Sequence, residues 1–102
     1  MGGLLEAVDV HDLCVANGID LKCGGMLETG IGRAANLALA ALPGFTLMGD
    51  LSASDRYFHE DLTEPFVLEA GCLRVPTGPG IGVEPIPEVL GRYVVSSETT
   101  RL

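Results

Sequence analysis

Cys23-Gly24-Gly25-Met26-Leu27-Glu28-Thr29-Gly30-Ile31-Gly32-Arg33-Ala34-Ala35-Asn36 reads, in immediate succession, as a strand end, a glycine-rich turn and a helix start. Upstream, Ile19-Asp20-Leu21-Lys22-Cys23 is short and bounded by glycines, as a strand would be. Downstream, Ile31 to Leu42 is almost wholly apolar, with Thr29 placed as an N-cap and Pro43-Gly44 as the stop. Phe45-Thr46-Leu47 offers a second short strand. Strand, helix, strand predicts parallel strands with a right-handed crossover, in an open α/β sheet or a (β/α) barrel.

The glycines admit a dinucleotide reading, because Gly30-Ile31-Gly32-Arg33-Ala34-Ala35 fits G-x-G-x-x-A and Asp50 stands about 20 residues on. It fails on spacing. The fingerprint needs its first glycine directly after the strand so that the helix N-terminus meets the pyrophosphate, and Gly24 to Thr29 intervene.

Three blocks in order resemble the C-terminal part of an enolase-superfamily enzyme: Cys23 to Ala34, Gly49-Asp50-Leu51-Ser52-Ala53-Ser54-Asp55-Arg56-Tyr57, and Pro76-Thr77-Gly78-Pro79-Gly80-Ile81-Gly82-Val83. The branch resembled is that of the o-succinylbenzoate synthases and N-acylamino acid racemases, within the muconate-lactonising subgroup. The resemblance implies an α/β fold, the C-terminal part of a (β/α) TIM-type barrel: its last two strand–helix units, a closing hairpin and a tail. Residues 1–93 would belong to the barrel domain and 94–102 to a frayed tail. It further implies a Mg²⁺-dependent enzyme that removes a proton α to a carboxylate, the metal held by three carboxylates and the proton moved by two lysines. None of those five groups is placed in this chain, so no catalytic or metal-binding residue is expected here. Gly24, Gly25, Met26, Leu27 and Tyr57 fall at positions that line the family's substrate pocket. The implied partners are a small-molecule carboxylate substrate and the N-terminal part of the barrel with its capping domain. The nearly all-round apolar helix Ile31 to Leu42 adds the expectation of a second copy of the chain, or the tail of the same chain, as cover for its outer face.

Departures from the family pattern carry charge. Lys22, the one lysine of the chain, and Asp20 stand where uncharged or aromatic residues are usual. Both alternate onto one face of the expected strand, where they are placed to offset each other, since an unpaired charge in a parallel strand costs several kcal/mol. For Lys22 a strand-mouth or inter-element ion pair is expected rather than the role of a displaced catalytic lysine. Met48 replaces a proline after the second strand, which loosens the turn without removing a reactive group. Glu28 is expected to support the loop by hydrogen bonding, not to act as a catalyst.

Composition narrows the rest. The 102 residues are 47% hydrophobic, which excludes a disordered tail, yet no apolar run reaches the ~18 residues of a membrane span. A formal charge of -8 with six scattered cations argues against nucleic acid. Cys14, Cys23 and Cys72 show neither C-x-x-C nor paired Cys/His spacing, so no disulfide framework or zinc site is indicated and a reducing cytoplasm is expected. Met1-Gly2-Gly3-Leu4 has no basic region or signal-length apolar core, so export is not suggested.

Along the chain, Gly3 to Asn17 reads as a helix closed by Gly18, with Leu4, Ala7, Val8, Cys14 and Val15 on its apolar side and Val10 and Leu13 covered by neighbours. His11 is read as a surface or helix-packing side chain without chemistry. The helix Ile31 to Leu42, polar only at Arg33 and Asn36, requires cover on more than one face. Ser52 to Tyr57 carries the signals of a short capped helix, Pro65 to Pro76 those of a hairpin, Thr77 to Val83 a structural glycine-proline loop, and Glu88 to Tyr93 a last short helix. Ser52, His59 and Asp61 match a hydrolase triad in composition only, without a nucleophile elbow. A non-catalytic module that self-associates or docks on a partner is the alternative to the enzyme reading.

Overall fold

The computed structural model describes residues 2–100. Three helices punctuate it: α1, Leu4–Ala16; α2, Gly30–Ala40; and α3, Pro87–Tyr93; a single 3-10 turn lies at Ser54–Arg56.

Helix α1 ends where the glycine predicts. Gly18 takes φ 66°, and the last carbonyls are capped by Ile19 N–H to Cys14 O (2.9 Å) and Gly18 N–H to Val15 O (3.1 Å), a Schellman pair. Its packing line differs from the expected one. Ala7 and His11 are buried with Cys14 half-buried behind them, whereas Leu4, Leu13 and Val15 are exposed. His11 is the reason: its Nε2 accepts the Gly44 N–H at 3.0 Å and its ring stacks on Phe45, which fixes that side of α1 against the turn following α2. A Cβ on Gly44 would lie 2.6 Å from Val15 and 2.8 Å from His11, so the approach requires glycine there.

The expected strands Ile19–Cys23 and Phe45–Leu47 lie side by side without forming a ladder. Leu21 donates to Gly44 O (3.0 Å) and accepts from Leu47 N (3.1 Å), so the two runs point the same way. Thr46 N–H turns back instead to Gly44 O, a one-residue slip that breaks the repeat. A parallel pair is stable inside a covered sheet, and a lone pair with a slip keeps only two bonds. Of the two pairings open to Lys22, the one with Asp20 does not form and the inter-element one does. Lys22 Nζ reaches Asp50 Oδ2 across the gap at 3.6 Å, while Asp20 accepts from the Thr46 hydroxyl. Side chains two residues apart in an extended run are about 7 Å distant, and a neighbouring run is nearer at about 4.8 Å.

Helix α2 buries Gly30, Arg33, Ala34 and Leu37. Ala34 and Leu37 form the core with Phe66, and Leu51, Leu73, Ile81 and Val83 pack around them. α1 packs on α2 as well, so the apolar helix is covered from more than one direction. The expected hairpin is one antiparallel pair, Glu69 with Cys72, closed by Ala70 (φ 50°) and Gly71 (φ 80°) as a two-residue turn of the I′ kind. The glycine-proline loop closes the core by delivering Ile81 and Val83 to it. Pro87 opens α3, where its missing N–H costs nothing. Among the described residues no helix is long and apolar enough to cross a membrane.

Candidate functional site

Two loops leave the side-by-side extended runs, and α2 holds both. The first is Gly24 to Thr29. Gly25 donates its N–H to Asp50 Oδ1 at 2.6 Å, and a Cβ there would lie 2.8 Å from Asp50 O, so only glycine allows this approach. That N–H holds the Asp50 carboxyl below the usual carboxylate range against the opposing effect of desolvation, with Lys22 as a lesser help. Asp50 therefore ties the two loops together, which is a different task from binding a ribose. Met26 and Leu27 project into solvent. Cys23 donates its S–H to Asn36 O at 3.5 Å; partial burial first, then the Glu28 and Asp50 charges, push its thiol up and away from the reactive thiolate.

The second loop is built on a buried ion pair. Arg33 Nη1 lies 3.1 Å from Asp61 Oδ2, both side chains out of solvent. Ser54 Oγ donates to the same oxygen at 2.6 Å and accepts from Arg33 Nη1 and from Phe66 N–H. Asp61 Oδ1 accepts Gly30 N–H and Leu62 N–H, each at 2.7 Å. Burial alone would raise the Asp61 carboxyl; the bonds from Ser54, Gly30 and Leu62, with Arg33 beside it, outweigh that and hold it below the usual range. With its oxygens so occupied, Asp61 forms no triad with Ser52 and His59. Thr29 occupies the N-cap position of α2, but its side chain makes no capping bond; Asp61 does that work from a distant segment.

Tyr57 hangs from this unit through its N–H to Ser54 O at 3.2 Å, with the Arg56 guanidinium over its ring at 5.6 Å. It lines a cavity of about 430 Å³ together with Thr29, Phe58, Leu62, Tyr93 and the polar pair His59 and Glu60. Gly24, Gly25, Met26 and Leu27 do not line that cavity; Thr29, the end of their loop, does. Arg92 of α3 pairs with Glu60 at its rim. The cavity is mostly apolar with a few polar groups, a composition that suits binding of a small organic ligand.

The sequence does not assign the task of organising these loops to Arg33, Asn36, Ser54 and Asp61. Their signal was present in part: Arg33 and Asn36 are the two polar residues of an otherwise apolar helix, three positions apart on one face. Nothing local marks Asp61 as the partner of Arg33.

Comparison with known proteins supplies the context of this geometry. A family model described as Enolase C-terminal domain-like matches residues 1–89. The chain is 68% identical over 90 residues to an N-succinylamino acid racemase of Amycolatopsis sp, covering 88% of this chain and 24% of that protein. It is 46% identical over 99 residues to the o-succinylbenzoate synthase of Bacillus subtilis, covering 96% of this chain and 27% of that protein. A crystal structure of an enolase-superfamily member from Listeria innocua superposes with a TM-score of 0.90 at 48% identity, over 95% of this chain and 26% of the other. The chain thus spans about a quarter of the length of the relatives it matches.

Proposed function

The chain belongs to the enolase C-terminal domain-like family, and from that premise we propose that it supplies substrate-pocket walls to an enzyme that removes the proton α to a carboxylate. The reaction is of the o-succinylbenzoate synthase or N-acylamino acid racemase type. The observation that carries this reading is the 68% identity to a racemase over nine-tenths of the chain. Synthases match the same stretch, so the support falls on the shared proton-removal step rather than on either product. In this reading the runs around Leu21 and Phe45 are the last two barrel strands, α2 is the helix between them, and the Glu69–Cys72 turn closes the structure. Gly24, Gly25, Met26 and Leu27 form one wall of the pocket and Tyr57 another, at the strand ends where barrel enzymes place their sites.

Mg²⁺ stabilises an enolate in chemistry of this kind. Among the described residues no group of three or more His, Cys, Asp or Glu is placed to hold a metal ion. Lys22 is engaged with Asp50. The residues present therefore do not fit the metal, and no step through it falls to them; their part is to shape the pocket and keep water from the substrate. A small-molecule carboxylate, the remainder of the barrel with its capping domain, and a second copy of the chain are the proposed partners. A reducing cytoplasm, in keeping with three free cysteines, is the proposed setting.

The test uses the full-length protein with Mg²⁺, following deuterium exchange at the α-carbon of N-succinyl amino acids and dehydration to o-succinylbenzoate. Either activity supports the reading. Absence of both overturns it.

A further inference from the structure

Glu28 is held by α2 at two points and holds Met26 at a third. Its carbonyl accepts Arg33 Nη2 at 3.0 Å, its Oε1 accepts Asn36 Nδ2 at 3.1 Å, and its Oε2 accepts the Met26 N–H at 2.6 Å. Gly32 makes the fit possible, since a Cβ there would lie 3.0 Å from Glu28 Cβ. The Met26 side chain is 77% exposed, so packing does not hold it; the backbone bond to Glu28 does. The second wall hangs from the same helix, because Arg33 Nη1 also reaches Ser54, whose carbonyl takes the Tyr57 N–H.

We propose that Glu28 is a positioning residue: by clamping the Met26 amide to Arg33 and Asn36 of α2, it sets where the Met26 side chain stands and so which acyl group the site accepts. This rests on the reading of Met26 as a pocket wall given above. Two features favour it over simple helix capping. The carboxylate bonds to Met26, upstream of Glu28 and outside the helix, and to Asn36 on the second turn of α2; its oxygens have no partner among the first N–H groups of α2. A methionine adapts its shape to several apolar groups, so its anchor point is what restricts it.

The experiment compares wild type, Glu28→Gln, Glu28→Ala and Asn36→Ala in the full-length protein, with N-acetyl and N-succinyl derivatives of one amino acid. Glu28→Gln keeps an acceptor for Met26 and, with the Asn36 amide turned so that its Oδ1 accepts from the new Nε2, a partner for Asn36, and retains the wild-type ratio of KM values. Glu28→Ala shifts that ratio about tenfold with kcat little changed, the scale of one misplaced packing contact. Asn36→Ala moves it the same way by less, and gives the reading should Glu28→Ala fail to fold. Equal effects on both substrates, an effect confined to kcat, or a Glu28→Gln as impaired as Glu28→Ala overturns the proposal. Hydrogen exchange at the Met26 amide, faster in Glu28→Ala and unchanged in Glu28→Gln, reads the clamp without any turnover; equal protection in all variants overturns it. A wild type inert on both N-acyl substrates and also unable to form o-succinylbenzoate overturns the proposed reaction instead, and the Met26 amide still decides the clamp.

Discussion

The Asp61 carboxylate accepts the Gly30 N–H at 2.7 Å, so the first turn of α2 is capped by a residue 31 positions downstream. The negative charge sits at the positive end of the helix dipole and 3.1 Å from the Arg33 guanidinium of the same helix. Both loops expected to line the pocket are thereby referred to one buried point. Tyr57 reaches it through Ser54, and Met26 through Glu28 and Arg33.

Removing one partner of such a pair strands the other. Asp61→Ala is expected to cost about 3–5 kcal/mol in the full-length protein, read from urea unfolding. Arg33 is poorly placed to find substitutes, because its Nε already lacks a hydrogen-bond partner. A cost below about 1 kcal/mol, the worth of an exposed pair, would show that the pair is not held out of water.

The same carboxylate gives a pH dependence of known sign. Its folded value lies below the ordinary one, so between the two the unfolded chain binds more protons and stability rises with pH. The contribution is fully present above about pH 4, near the unfolded Asp value, and is lost as pH falls through the lower folded value. Asp61→Asn should therefore lose less stability than wild type on acidification below about pH 4, as monitored by thermal unfolding across pH. Parallel curves for the two proteins would contradict this.

Gly30 lies against Thr63, itself buried, and a Cβ on Gly30 would fall 1.8 Å from Thr63 Oγ1 and 3.0 Å from its Cβ. Gly30→Ala is expected to destabilise by about 1–3 kcal/mol through overpacking. Thr63→Ala should restore part of that loss when combined with it, because the worst clash is with the hydroxyl. Strict additivity in the double-mutant cycle would locate the strain elsewhere.

Ala70 takes φ 50° in the turn between Glu69 and Cys72, a conformation that costs a residue with a Cβ roughly 1–2 kcal/mol. Ala70→Asn creates the Asn-Gly sequence favoured by this turn, and Ala70→Gly removes the Cβ. Both should raise the melting temperature, Asn by at least as much as Gly. An unchanged or lower value would mean that the turn adopts another form in solution.

The 102 residues alone are expected to associate in solution and to show no α-proton exchange. Leu5 (86% exposed), Met48 (91%) and Val95 (98%) head a long series of exposed apolar side chains, and the Leu21 pairing leaves the outer edges of both runs open. At roughly 25 cal/mol per Å², a few hundred Å² of such surface amounts to several kcal/mol, comparable with the whole stability of a small domain. Light scattering coupled to size exclusion measures this. A monodisperse monomer would favour the independent module over the barrel segment.

What the sequence determined by itself is what local chemistry enforces. Gly18 ends α1, Pro43-Gly44 follows the end of α2, Pro87 starts α3 and Gly71 turns the hairpin, each through a backbone preference acting within a few residues. The direction of the two extended runs and the support given by Glu28 to its loop were legible for the same reason. Partnerships were not. Lys22 faces Asp50 rather than Asp20, and Asp61 rather than Thr29 caps α2, because a charge binds whichever group the fold brings within about 3 Å, and segments 20 to 30 residues apart meet only once the core of Ala34, Leu37 and Phe66 has closed. The ladder expected between the two runs depends likewise on cover and neighbours that a parallel strand requires beyond its own residues, so tertiary structure decided that only the two bonds at Leu21 remain.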